Sequence, residues 1–349
     1  MRYFYFLSLL IVCFDHNLVC MAVVMASSRW SPALEGRIRL IPGVKSSLPV
    51  FEVGPKEPFG NVVLIPGLTD GPLSLRYTHQ LAETLNCYGE DEHTKIGEVC
   101  QPFRLLMPTL SSSYLGFGVS SLKQDVEEID ALLDSVPMEE RKNNPLVLIG
   151  HSTGCQDLVR YMRDGANAKY VSGVIFQAPV SDREGMELEH GKEAIAKARE
   201  FAQAECAAGR GQELMPRSTP GVFNTPITCE RYASLSGRMT DDDMFSSDLT
   251  EGELGEILGH LDVPSLWVFS GDDEYVPPAV KADYGGLARR IAGAADSSRE
   301  GGKSAPVIIE GGNHALSNRT QRFVHVALDF IEQKVLGLRP DESKYLRNI

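Results

Sequence analysis

Ser152 lies where the apolar run Pro145–Ile149 meets Gly150-His151-Ser152-Thr153-Gly154, after which residues follow at helical spacing. A serine between two glycines at a strand-to-helix junction is the pattern of a nucleophile on a sharp turn. Glycine at 150 and 154 lets the strand and helix approach closely and lets the serine take strained angles that expose its hydroxyl. A hydroxyl is a weak nucleophile and needs a base. His314 is the best placed of eight histidines, because "APVIIEGGNHALS" reads as a strand, a glycine-rich loop and then the imidazole at the mouth of the last helix. His79, His93, His190, His260 and His325 fall in helices or polar loops, and His151 is expected to pack beneath the turn. The imidazole in turn needs a carboxylate to fix its tautomer and stabilise its charged form. "LWVFSGDDEYVPP" ends a strand in Asp272, Asp273 and Glu274; spacing to Val276-Pro277 favours Asp273, with Asp272 next. The chain order Ser152, Asp273, His314 is neither that of chymotrypsin nor that of subtilisin.

Acyl transfer also needs donors aimed at the developing oxyanion. "NVVLIPGLTDG" ends an early strand, so the backbone N–H of Leu68 or Thr69, with that of Thr153, is expected to supply them. Thr69 is also a candidate substrate contact. In "QAPVSDRE", Asp182 and Arg183 follow a strand and are expected to anchor an insertion, as an ion pair, or to meet a polar substrate. Tyr114 and Phe117 of "SSSYLGFG" are candidates to line a pocket or to pack beneath that insertion.

The elements that position these residues alternate between short apolar strands and helical patterns, the mark of an α/β fold with a mostly parallel, doubly wound sheet. The expected strands are Arg37–Ile41, Leu48–Glu52, Asn61–Ile65, Phe103–Met107, Leu146–Ile149, Gly173–Gln177, Ser265–Ser270 and Ala305–Ile309. The first two are more polar and suit an antiparallel edge. Helices are expected over Leu75–Asn86, Leu122–Ser135, Gln156–Asp164, Gly191–Ala207 and Gln321–Val335. The alternation breaks over 181–261, which reads as a helical and looped lid above the carboxyl ends of the strands. The domain reading is therefore a core of 35–180 and 262–337, a lid of 181–261, an N-terminal extension of 1–34 and a tail of 338–349.

With 43% hydrophobic and 23% charged residues, the composition is that of an ordinary globular protein. A net charge of −13 disfavours a nucleic-acid or anionic-membrane surface. No internal segment reads as a membrane span. Residues 1–24 carry a signal-like start, Met1-Arg2 and the apolar run 3–14, but a polar 15–17 follows and Met21 or Met25 offers another start. A cytoplasmic location is favoured, and a secreted one follows if 1–24 act as a signal peptide. A glycan on Asn318 of Asn318-Arg319-Thr320 would crowd His314. Seven cysteines are scattered without metal spacing, and Cys87–Cys100 is the one pair worth testing as a bridge. No metal set, P-loop or dinucleotide fingerprint is present, so no cofactor is expected.

The combination of "PGLTDG", "LSSSYLGFGVSSLKQDVEEI", "IGHSTGCQD", "QAPVSDRE", "SGDDEYVP" and "GGNHALS" resembles a eukaryotic, UPF0613-like family of α/β-hydrolases that includes fusarinine-type siderophore esterases. The likeness runs from about residue 35 to 337. It implies an α/β-hydrolase fold and a serine esterase acting on a small-molecule ester; the family's triad would fall on Ser152, Asp273 and His314. Pro66 stands where hydrolases of this type often carry histidine before the oxyanion glycine. An acyltransferase or thioesterase would use the same residues, and a hydrolase-fold binding protein of low turnover would keep them.

Overall fold

The computed structural model describes residues 14–15, 18–19, 33–86, 102–221, 225–295 and 304–338. The chain divides into two compact units, Met1–Leu34 and Glu35–Ile349. Within the first, Phe14–Asp15 pairs antiparallel with Leu18–Val19. The Cys87–Cys100 pair lies outside the described residues.

The second unit is built on an eight-stranded sheet: β1 Arg37–Pro42, β2 Ser47–Val53, β3 Gly60–Ile65, β4 Phe103–Pro108, β5 Leu146–His151, β6 Gly173–Gln177, β7 Ser265–Ser270 and β8 Ser304–Ile309. Their spatial order is β1-β2-β4-β3-β5-β6-β7-β8. The six strands from β3 onward pair in parallel, while β2 runs antiparallel to both β1 and β4. Sequence explains the split. Strands β3, β4, β5 and β7 are buried at every position and read as continuous apolar runs, as burial of both faces requires. Strand β2 instead alternates exposed and buried residues over its first half, as an antiparallel edge facing water on one side does.

Helices fill both faces: α1 Tyr77–Asn86, α2 Leu122–Asp134, α3 Met138–Asn143, α4 Thr153–Asp164, α5 Asp182–His190, α6 Lys192–Ala207, α7 Cys229–Ser236, α8 Glu251–Leu258, α9 Pro278–Lys281, α10 Tyr284–Ala295 and α11 Thr320–Phe330, which continues as a wider turn over Ile331–Val335. Helix α2 shows how such segments are specified. The Ser121 hydroxyl accepts from the Gln124 N–H at its start, and Leu122, Val126, Ile129, Leu132 and Leu133 form the buried face. Core packing centres on Trp267, which stacks on Phe176 with ring centroids 4.0 Å apart. None of the helices among the described residues is long and apolar enough to cross a membrane.

Four helices, α5 to α8, interrupt the alternation between β6 and β7. They bury an apolar cluster of their own, with Met186, Ile195, Met215, Tyr232 and Leu235 around Phe117. The expected helix Gly191–Ala207 is α6, and a further one precedes it: Ser181 caps α5, whose last residue is followed by Gly191 at φ 86°, where α6 begins. Helix α10, an alanine-rich crossover between β7 and β8, had no counterpart in the sequence reading. Helix α4 starts at Thr153, three residues before the expected Gln156, because the sharp turn is itself the helix start.

Strand order reverses at β3 and β5: β4 lies on one side of this pair and β6 on the other. In doubly wound sheets that switch point opens a crevice beyond the carboxyl ends of the strands. The register Ile65↔Gly150 puts the loop after β3 beside the turn after β5, and His151↔Gln177 adds the end of β6.

Candidate active site

Ser152 stands on the turn between β5 and α4 at φ 53° and ψ −124°, a conformation side-chain-bearing residues rarely adopt. Three contacts hold it there. Its N–H donates to the Gln177 carbonyl at 2.9 Å, and its own carbonyl accepts from Cys155 N–H at 2.8 Å. A Cβ at Gly154 would stand 2.4 Å from the Ile65 carbonyl oxygen, so only glycine lets α4 approach β3 this closely. Thr69 after β3 and Ala178 after β6 also take positive φ, 64° and 53°, so strain collects along the same rim.

His314 follows β8 and meets the end of β7. Its Nδ1 lies 2.8 Å from Asp273 Oδ2, and Asp273 is fully buried. The other Asp273 oxygen accepts from Tyr275 N–H at 3.0 Å. Glu274 Oε2 accepts the His314 backbone N–H at 2.8 Å, so adjacent acids fix the histidine at two points. Asp272 faces solvent, and its N–H donates to the Gly312 carbonyl. Tyr275 packs edge-on to the imidazole at 4.7 Å.

Gln177 joins these pieces. Fully buried at the end of β6, it accepts from His151 Nδ1 at 2.5 Å through Oε1 and donates to the His314 carbonyl at 2.9 Å through Nε2. Tyr77 OH and Ser270 Oγ stand 3.4 Å from the same amide. The His151 ring sits 4.9 Å from that of His314. Burial, reinforced by the charge of His314, holds His151 well below the usual histidine range, so it is neutral at physiological pH. His151 therefore packs beside the serine and reaches the cavity surface, its Nε2 3.7 Å from Asp70 Oδ2.

These groups open into a cavity of about 280 Å³, whose walls include Leu68, Thr69, Ser152, His314 and Tyr275, with Asp182 and Met186 from the insertion. Thr153, first residue of α4, is buried behind this surface. Three expected substrate contacts lie elsewhere. Phe117 is 1% exposed in the insertion's apolar cluster, because an aromatic ring there is worth more as core than as wall. Arg183 is taken up by Asp243 at 3.3 Å and Asp248 at 2.5 Å, so it is the ion-pair anchor and not a cavity group. Tyr114 is half exposed at φ 58°, its ring against Gly71, and does not line the cavity. The Asn318 amide nitrogen, a potential glycan acceptor, donates to the Gly311 carbonyl at 2.8 Å.

Sequence reasoning missed the buried acids that surround Asp182, namely Asp125, Asp157 and Asp242. Asp182 receives a hydrogen bond from Gln156 Nε2 at 2.7 Å; burial, with nearby Asp242, pushes its carboxyl up to about 7 against the pull of Arg231. Burial likewise pushes Asp125 up to about 6, and Asp157 well above the carboxylate range. Arg231, also buried, holds Asp242 through contacts of 2.8 and 2.6 Å. The available signal was an aspartate on the apolar side of two amphipathic helices, Asp125 in α2 and Asp157 in α4.

Comparison with known proteins agrees with this architecture. The chain is 29% identical over 232 residues to UPF0613 protein PB24D3.06c of Schizosaccharomyces pombe, covering 62% of this chain and 69% of that one. It is 28% identical over 331 residues to fusarinine C esterase sidJ of Aspergillus fumigatus, covering 79% and 88%. Among solved structures, siderophore hydrolase EstB from Aspergillus fumigatus superposes with a TM-score of 0.68 at 26% identity, over 87% of this chain and 98% of that one. The fold is that of the α/β-hydrolases. A family model described as "Protein of unknown function (DUF1749)" matches residues 40–335, most of the chain, and the chain belongs to that family.

Proposed function

We propose that the protein is a serine hydrolase that cleaves a carboxylic ester of a small molecule through an acyl-enzyme. The observation that carries this reading is one cavity wall shared by Ser152, on its strained strand-to-helix turn, and by His314, whose far ring nitrogen is bound to buried Asp273. In this mechanism His314 Nε2 takes the proton from Ser152 Oγ as Oγ adds to the ester carbonyl. The resulting imidazolium is stabilised by Asp273, and it returns the proton to the departing alkoxide as the C–O bond breaks. Water, deprotonated by His314, then cleaves the acyl-enzyme and frees the acid. Leu68 N–H and Thr153 N–H are the proposed oxyanion donors. Leu68 belongs to the wall, and the first N–H groups of a helix such as α4 lack intrahelical acceptors.

Esterases among the relatives support ester hydrolysis, and the named siderophore enzymes make a siderophore-type ester a reasonable substrate class. The test is labelling of Ser152 by a fluorophosphonate, with loss in Ser152→Ala, followed by turnover of p-nitrophenyl esters of increasing chain length beside cyclic hydroxamate esters. Asp273→Asn should lower kcat by about 10³–10⁴-fold and Asp272→Asn should leave it nearly unchanged. A Ser152 that resists labelling in the folded protein refutes the reading.

A further inference from the structure

The charge of the cavity wall goes further than the reaction class. Four acidic residues line the cavity, Asp70, Asp182, Glu189 and Glu274, and among the described residues no lysine or arginine does. The one imidazole beside them other than His314, that of His151, is held neutral by burial. The basic residues nearest in the fold are already committed: Arg231 to Asp242, and Arg183 to Asp243 and Asp248. Asp182 is bound by an amide, Gln156, and by no cation. Asp70 faces the neutral His151 at 3.7 Å. Tyr275, 40% exposed on the same wall, adds an aromatic ring of the kind that attracts ammonium groups.

We propose that this cavity selects esters carrying a positively charged amine, with Asp182 and Asp70 as the groups that meet the cation, and that it rejects esters carrying a carboxylate. The inference rests on the reading of Ser152 as the nucleophile, because it places the charged part of the substrate in the cavity that holds this serine. An unpaired carboxylate in a partly desolvated cleft is destabilised until a counter-charge arrives, which is why both Asp70 and Asp182 are pushed upward by burial. A substrate ammonium supplies that counter-charge. The same field raises the local concentration of cations at the cavity mouth, in keeping with the net charge of −13.

Three p-nitrophenyl esters test this at matched shape: 4-(trimethylammonio)butyrate, its neutral isostere 5,5-dimethylhexanoate, and the glutarate monoester. A second pair, acetylcholine and 3,3-dimethylbutyl acetate, puts the charge on the alcohol side. Each kcat/KM is divided by the rate of hydroxide-catalysed hydrolysis of the same ester, which removes intrinsic reactivity. The cationic member of at least one set should exceed its neutral isostere by about tenfold or more, with the anionic ester slowest, and 0.5 M salt should shrink the ratio. Asp182→Asn should shrink the same ratio; being a ratio, it is insensitive to a general loss of activity. Equal rates for cation and isostere in both sets, a faster anion, or a ratio untouched by Asp182→Asn would overturn the proposal. If no ester is turned over, fluorophosphonate labelling decides the reading of Ser152 separately. Binding of choline against 3,3-dimethylbutan-1-ol to Ser152→Ala, by calorimetry, then decides the charge preference: tighter choline supports it, and equal or weaker choline refutes it.

Discussion

Replacing Gln177 with leucine removes polar groups at the meeting point of the β5 turn and the β8 loop while nearly preserving volume. Two of the four contacts of this amide are short enough to count as strong hydrogen bonds: from His151 Nδ1 at 2.5 Å, and to the His314 carbonyl at 2.9 Å. The contacts at 3.4 Å to Tyr77 OH and Ser270 Oγ contribute little. In Gln177→Leu the His151 N–H and the His314 carbonyl lose these partners inside a dry core. The His151 N–H is orphaned at a cost of about 1–3 kcal/mol, while the His314 carbonyl keeps the Ser270 hydroxyl as a donor at 3.2 Å, so the variant should lose about 1–4 kcal/mol of stability. At about 1–2 °C per kcal/mol for a chain of this size, calorimetry should record a fall in Tm of roughly 2–6 °C. Activity should fall further than stability accounts for, because the His314 backbone is no longer tied to the strand that also fixes Ser152 N–H. A displacement near 1 Å in a proton-transfer group costs about 10²-fold, and it should act on kcat more than on KM. Gln177→Glu separates positioning from packing. It keeps the acceptor for His151, sets a carboxylate oxygen against the His314 carbonyl, and raises the His151 pKa, so its pH–rate profile should gain a titration that Gln177→Leu lacks. A Gln177→Leu enzyme with wild-type kcat after correction for the folded fraction would refute the positioning role. Unchanged Tm would refute the hydrogen-bond argument.

Gly67→Ala places a methyl 2.7 Å from Ser152 Cβ and 3.3 Å from its Oγ; such overpacking costs about 1–3 kcal/mol, and fluorophosphonate labelling of Ser152 should slow at least about tenfold, whereas unchanged labelling would show that the loop after β3 gives way freely. Arg231→Met leaves Asp242 buried without its partner and should destabilise by about 3–5 kcal/mol in urea unfolding, with much of the loss recovered in Arg231→Met/Asp242→Leu. The folded-state pKa of Asp182, about 7, lies above the ordinary carboxylate value, so the native state binds the extra proton and its contribution to stability is lost as pH rises from about 4 through 7. The Tm difference between Asp182→Asn and the wild type should therefore shift in favour of the variant between pH 5 and pH 8, and a difference independent of pH would show that Asp182 ionises without cost.

How much of this was legible in the sequence depended on whether a residue's role is local. Strand runs such as "NVVLI" and "PLVLI" declare themselves because burial on both faces favours continuous apolar residues, and every expected strand is present within two residues at each end. Ser152 was legible because its turn needs small residues beside it in the chain, and Asp273 and His314 because each follows a buried strand. Gln177 was not, since its value lies in contacts to His151, 26 residues away, and to His314, 137 residues away. The aromatics were left open for the same reason. Phe117 and Tyr114 read either as pocket residues or as packing beneath the insertion; the second holds for Phe117, and the residues that bury it, 186 to 235, lie beyond the reach of any local pattern.

The buried charges bear on how the insertion is seated. Apolar contacts tolerate sliding, because dispersion and hydrophobic burial are nearly indifferent to small rotations. A paired buried charge is not indifferent, since moving either partner leaves an uncompensated ion at a cost of several kcal/mol. Here α5 carries Arg183, bound to Asp243 and Asp248, and Asp182, bound to Gln156 of α4; Ser181 at its cap meets Ser246. Helix α7 carries Arg231, whose Nε donates to the Phe117 carbonyl at 3.1 Å. One of these ties, from Gln156 to Asp182, reaches α4, the helix that opens at Ser152, so the wall bearing Asp182 is registered against Ser152 by a directional contact. Asp182, one of the acids that line the cavity, thus belongs to the same network that seats the insertion. Neutralising Asp182 should change both, which is why charge preference is read as a ratio and stability as a function of pH.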